Sequence, residues 1–157
     1  IQSLEVLTGI IMNKGIEWLN FMSTPDIVPK QEEYNQFIKY ISDSINTSSK
    51  WDLNNIQFVE KLERDIINRS NNGVEKPDWL YIMESAKAIG DFIIMKLGGA
   101  WIIDDSCIAK PLVSQIGGRP TASANPFFAV SRYWGRPYHE PYSLVRWFNL
   151  IKQRTYN

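Results

Sequence analysis

The chain changes character within Pro77-Asp78-Trp79-Leu80-Tyr81-Ile82-Met83-Glu84-Ser85-Ala86-Lys87-Ala88-Ile89-Gly90-Asp91-Phe92-Ile93-Ile94-Met95-Lys96-Leu97-Gly98-Gly99-Ala100-Trp101-Ile102-Ile103-Asp104-Asp105. Up to Leu97 the apolar and small residues repeat at helical spacing. Trp79, Ile82, Met83, Ala86, Gly90, Ile93 and Leu97 make one continuous stripe. Pro77 suits a first turn, and Gly98 stands where a left-handed C-cap belongs. Ala86 and Gly90, small residues one turn apart, predict the close crossing of another helix. Beyond the glycine pair, Ala100 to Ile103 reads as a short strand that ends at Asp104-Asp105. A long helix running directly into a strand points to an α+β fold.

Downstream, Leu112 to Ile116 reads as a second strand, with Pro111 confined to its start. Gly117-Gly118 fits a two-residue hairpin turn, and Arg119 to Ser123 the third strand of a small antiparallel meander. Asn125-Pro126 pairs an N-cap with proline at the first helical position, so a short helix is expected over Pro126 to Trp134. Gly135-Arg136-Pro137 stops it. A last helix starts near Pro141 and runs to about Arg154, with Leu144, Val145, Phe148 and Ile151 on its apolar face.

Upstream lie three further helices. One begins at Asp52, continues its stripe through Ile56, Val59, Leu62 or Glu63, and Ile66, and breaks at Ser70-Asn71-Asn72-Gly73. Glu60 with Arg64 and Lys61 with Asp65 are opposite charges at i, i+4 on it, worth ~0.3–0.5 kcal/mol each. Another spans Lys30 to Asn46, with Tyr34, Phe37, Ile38, Ile41 and Ile45 on one face. The first covers Ser3 to Met22, where Leu4, Leu7, Ile11, Trp18 and Met22 share a stripe. Charged residues interrupt that first run, which fits an amphipathic helix better than a signal peptide. The rings of Trp18, Trp79, Trp101 and Phe127 are expected in the core. No linker or repeat divides the chain, so residues 1–157 read as a single domain.

Composition removes several function classes. A content of 44% hydrophobic and 22% charged residues supports a packed core and argues against disorder. One cysteine excludes a disulfide framework and a Cys-rich zinc module, and one histidine excludes sites that need two. No metal or cofactor is implied. No run of apolar residues is long enough to span a membrane. The single Cys107 fits a reducing, cytoplasmic setting, and its neighbours Asp104 and Asp105 oppose a reactive thiolate. Those adjacent aspartates read as a turn, because no Asp-x-Asp-x-Asp-Gly loop surrounds them. The glycine pairs match neither a dinucleotide fingerprint nor a phosphate loop. His139 has no nucleophile signal near it and reads as a loop histidine.

Charge placement says more than its total. The chain is formally neutral, yet Ile1 to Ala109 carries ten Lys or Arg against sixteen Asp or Glu, and Lys110 to Asn157 carries seven against one. The basic set is Lys110, Arg119, Arg132, Arg136, Arg146, Lys152 and Arg154. Phe128, Tyr133, Trp134, Tyr138, Tyr142, Trp147 and Tyr156 interleave with it. These cations can pair with acidic helices of the same chain or face water. They can also form a protein-binding face, since Arg, Trp and Tyr are enriched at interface hot spots. Nucleic-acid binding ranks third, because the acidic half weakens long-range attraction to phosphate.

Residues 88–150 carry a family rhythm: Ile89-Gly90-Asp91-Phe92, Leu97-Gly98-Gly99-Ala100-Trp101, Asp104, Pro111-Leu112-Val113, Gly117-Gly118, Asn125-Pro126-Phe127-Phe128-Ala129-Val130 and Ser143-Leu144. This order resembles small uncharacterised bacterial α+β domains found among the immunity proteins of toxin systems. The resemblance implies a bacterial protein that neutralises a cognate toxin by binding over its active site. Its motifs are fold markers, and no catalytic residue comes with them. With the missing catalytic machinery and the uneven charge, it makes a non-enzymatic binding protein the leading expectation. The expected partner face is Arg132, Arg136, Tyr138, His139 and Arg146. The alternative is a small enzyme with a carboxylate site drawn from Glu84, Asp91, Asp104 or Asp105.

Overall fold

The computed structural model describes residues 27–44, 47, 49–103, 111–137 and 139–156. In chain order it contains α1 (Gln31–Ser44), α2 (Phe58–Arg69), α3 (Trp79–Leu97), β1 (Ala100–Ile102), β2 (Leu112–Ser114), β3 (Ser123–Ala124), α4 (Pro126–Gly135) and α5 (Leu144–Tyr156). Single turns of 3-10 helix at Ile116–Gly118 and Glu140–Tyr142 complete it. The fold is α+β, as the switch from helix to strand requires. The predicted helix over Ser3 to Met22, with Trp18, lies outside the described residues. So do Asp104, Asp105, Cys107, Lys110 and Tyr138.

α3 is the central element. Its N-terminus is capped by Asp78, whose Oδ1 accepts from the Tyr81 N–H at 3.1 Å. Pro77 therefore stands just before the cap. Gly98 ends the helix at φ 88°, its N–H donating to the Ile94 carbonyl at 2.9 Å. Burial extends well beyond the predicted stripe, to Tyr81, Ser85, Lys87, Ala88, Ile89 and Phe92. A helix covered on nearly every side has no solvent face to keep polar, so the one-stripe pattern understates it.

Around α3 the main core gathers Phe37 and Ile41 of α1, Phe58, Leu62 and Ile66 of α2, Phe127, Val130, Tyr133 and Trp134 of α4, and Leu144 of α5. Phe127 sits among rings, tilted against Phe37 at 4.4 Å between centroids and edge-on to Tyr34 and Trp79 at 5.4 and 5.9 Å. A smaller cluster of Ile93, Val113, Ile116 and Ala124 joins the end of α3 to the sheet.

The sheet is the expected antiparallel meander, in the order β1-β2-β3. Trp101 faces Val113, and Val113 faces Ala124. Its second connection is longer than expected. β2 ends at Ser114, and the third strand is Ser123–Ala124 rather than Arg119 to Ser123. Gln115 takes a left-handed φ of 54°, and Ile116 turns inward to near-complete burial. The 3-10 turn and a further turn, closed by Ala122 N–H on the Arg119 carbonyl at 3.1 Å, replace the two-residue hairpin. Pro120 lies in this connection and has no N–H to offer a ladder.

α2 also starts later than expected. The Asp52 side chain accepts from the Asn54 N–H at 3.0 Å, and the Asn55 side chain from Gln57 at 2.8 Å. Such local side-chain bonds compete with helix, and here they hold two successive turns before Phe58. Ile56 consequently lies outside the helix and is 82% exposed. On α2 itself, Asp65 pairs with Arg69 at 3.2 Å rather than with Lys61.

The indole of Trp101 packs against Gly90, so close that an added Cβ would lie 2.1 Å from its Cζ2. The Trp101 Nε1–H donates to Asp91 Oδ1 at 2.9 Å and fixes the ring there.

Candidate functional site

Two concave regions carry the sequence-predicted residues. The first lies between α4 and α5, where Asn125, Phe128, Ala129, Arg132, Pro141, Tyr142, Ser143 and Trp147 line a groove of about 230 Å³. α4 starts at Asn125, whose Oδ1 accepts from the Phe128 N–H at 3.0 Å. That cap sets Phe128 and Arg132, one turn apart, on the groove side. The Arg132 guanidinium lies 3.8 Å from the ring centroid of Tyr142 and 5.3 Å from that of Phe128. Tyr142 closes the 3-10 turn, its N–H donating to the His139 carbonyl at 2.9 Å.

Of the predicted face, Arg132, His139 and Arg146 gather around the turn Glu140–Tyr142. Arg146 Nη1 stands 3.7 Å from Glu140 Oε1. His139 is half-buried at the head of the turn. Arg136 differs, because it is 6% exposed and lies within the fold. Its N–H donates to the carbonyls of Arg132 and Tyr133 as α4 ends. The interleaved aromatics divide in the same way. Phe128, Tyr142 and Trp147 line the groove, while Tyr133 and Trp134 belong to the core.

Acid from the N-terminal half reaches this region through Glu63. Its Oε2 accepts from Ser143 Oγ at 3.1 Å and from the N–H groups of Leu144 and Val145 at 2.7 and 3.3 Å. A carboxylate against the exposed donors of a helix N-terminus is favourable both by hydrogen bonding and by the helix dipole. Arg119, Lys152 and Arg154 are exposed.

The second region lies between α1 and α3. Tyr40, Ser44, Thr47, Ser49, Lys50, Trp51, Glu84, Lys87, Ala88 and Asp91 line a pocket of about 140 Å³. Helical spacing puts Glu84, Lys87 and Asp91 on one side of α3. Two of the candidate carboxylates, Glu84 and Asp91, thus share one pocket. Lys87 Nζ contacts Asp91 Oδ2 at 2.6 Å, with only 9% of the lysine side chain exposed. Lys50 Nζ lies 3.5 Å from Glu84 Oε1 and 4.6 Å from the Trp51 ring centroid. Burial, then the charges of Glu84 and Asp91, hold the Tyr40 hydroxyl above its usual pKa, so it remains a neutral donor and acceptor.

The lysines and Tyr40 of this pocket were not singled out by sequence. The i, i+4 spacing of Lys87 and Asp91 is the one local signal that points to them. Among the described residues, no group of three or more His, Cys, Asp or Glu is placed to hold a metal ion. No helix among them is long and apolar enough to cross a membrane. No family model, no curated protein and no solved structure matches the chain.

Proposed function

We propose that this chain is a non-enzymatic binding protein that acts by covering a protein partner, and that the partner is a bacterial toxin, as the resemblance over residues 88–150 implies. The observation that supports binding is the stack of Arg132 on Tyr142, 3.8 Å to the ring centroid, at the wall of the α4–α5 groove. A guanidinium already held against a ring loses little side-chain freedom when a partner docks. Arg, Tyr and Trp around a concave surface are the composition of interface hot spots. The groove has room for one anchoring side chain, and Arg146 and His139 flank its lining residues Pro141, Tyr142 and Ser143 in sequence. The contact face is thus Arg132, His139, Tyr142 and Arg146, together with Tyr138, without Arg136.

The test is affinity capture of the products of adjacent genes, followed by calorimetry on the pair. Arg132→Ala and Arg146→Ala should each weaken binding by roughly tenfold or more, a loss of about 1.4 kcal/mol, with folding retained. Absence of a partner, together with unchanged toxin sensitivity after deletion of the gene, would sink the proposal.

A second reading, a small enzyme, is supported by one observation: Glu84 and Asp91 line the same pocket. It predicts a turnover that vanishes when either carboxylate is replaced by its amide.

A further inference from the structure

We propose that the α1–α3 pocket binds a small zwitterion, a molecule that carries a carboxylate and an ammonium group within a few atoms of each other. The inference concerns a different surface from the toxin-binding groove and does not rest on that reading. It follows from which hydrogen-bonding positions in the pocket the protein fills itself.

Asp91 is complete. One oxygen takes the Lys87 ammonium at 2.6 Å and the other takes the Trp101 indole at 2.9 Å. Lys87 is incomplete. Its ammonium has three N–H donors, and Asp91 is its one hydrogen-bond partner among the described residues. Its side chain is nine-tenths buried, so bulk water does not surround the remaining donors. Unfilled donors on a buried charge are costly, and an acceptor that reaches them is correspondingly favoured. Glu84 offers the opposite. At 3.5 Å its ion pair with Lys50 is loose, 32% of its side chain remains exposed, and the residue lines the pocket. Tyr40 adds a neutral hydroxyl to the lining.

Charge then selects the ligand. Lys50 and Lys87 balance Glu84 and Asp91, so the lining has no net charge. A phosphate attracted by the lysines meets the carboxylates, and a simple amine attracted by the carboxylates meets the lysines. A ligand with both signs satisfies Lys87 through its carboxylate and Glu84 through its ammonium. Size agrees. The cavity of about 140 Å³ lies below the roughly 300–1,000 Å³ of pockets that take drug-sized ligands. That excludes drug-sized ligands and nucleotides.

The test is calorimetry and thermal shift on the whole chain with glycine, serine, β-alanine and γ-aminobutyrate. Acetate, methylammonium and inorganic phosphate serve as single-sign probes. At least one zwitterion should bind in the millimolar range or tighter, and more tightly than any single-sign probe. Glu84→Gln, at a half-exposed position, should weaken that zwitterion by roughly tenfold or more while thermal unfolding stays near the parent value. Lys87→Met should abolish binding, and Glu84→Gln decides the matter if that variant fails to fold. The inference is overturned if no zwitterion binds, if any single-sign probe binds as tightly, or if Glu84→Gln leaves the affinity unchanged.

Discussion

Glu63, on α2, caps α5 at Leu144: the carboxylate accepts the Leu144 N–H at 2.7 Å across 81 residues of sequence. The same oxygen takes the Ser143 hydroxyl and the Val145 N–H. Ser143 adds a local cap, its Oγ accepting the Arg146 N–H at 3.2 Å. Glu63 thus ties the first turn of α5 to α2.

Glu63→Ala should destabilise the fold by about 1.5–3 kcal/mol, because it removes charge-assisted bonds and leaves helix N–H groups unpaired. Glu63→Gln, which keeps an acceptor but not the charge, should lose about half as much. Urea unfolding monitored by circular dichroism measures both. Equal stability of Glu63→Ala and the parent would show that water replaces the cap at no cost.

Gly90→Ala should destabilise by about 1–3 kcal/mol, even though alanine is the better helix former by ~1 kcal/mol. The added methyl would sit 2.1 Å from the Trp101 ring. Coupling is the sharper check. In a double-mutant cycle with Trp101→Phe, the two changes should cost less together than the sum of each alone, by at least about 0.5 kcal/mol. Additive costs would mean that the ring and the helix do not constrain each other.

The ion pairs should separate by burial. Asp91→Ala strands the ammonium of Lys87, whose side chain is 9% exposed, and also removes the acceptor of Trp101. The cost should be about 3 kcal/mol, at the low end for a buried pair because Asp91 itself is 26% exposed. Glu140→Gln breaks a 3.7 Å pair whose acid is 71% exposed, and should change stability by less than about 0.5 kcal/mol. Chemical denaturation of both variants in one buffer decides it, and similar costs would refute the ranking.

Alkaline stability should depend on Tyr81. Burial, then its hydrogen bond to Asp65 at 2.5 Å, hold the Tyr81 hydroxyl well above the ordinary 10.0, with Ser85 and Arg69 pulling slightly the other way. Burial raises Tyr34 too, opposed by its bond with Asn125. Above pH 10 the unfolded chain releases these protons first, so it binds fewer protons than the folded one and stability falls as pH rises. Below that point the contribution is fully present. The denaturation midpoint should drop from about pH 10 upward, and Tyr81→Phe should make that drop shallower. An identical slope in the variant would remove Tyr81 as the cause.

Residues close in sequence settled much of this protein in advance. The helical period from Trp79 to Leu97, the stop at Gly98, the short strand after Gly99 and the Asn125-Pro126 start of α4 are all read within a few positions, and the structure keeps each of them. Hydrophobic period and capping are short-range effects, so the local chain contains what they need.

Tertiary packing decided the rest. Asp52 looks like a helix cap from its own neighbourhood, yet its side chain holds a turn and α2 starts only at Phe58, which is 1% exposed in the core. Arg136 reads as part of a contact face and is buried, with 6% exposed, where α4 ends. Glu63 could equally have continued a stripe until α5 arrived beside it. The partners of Gly90, Glu63 and Lys87 are chosen by which elements come together in space. That choice comes from burying one shared core, and no window of neighbouring residues contains it.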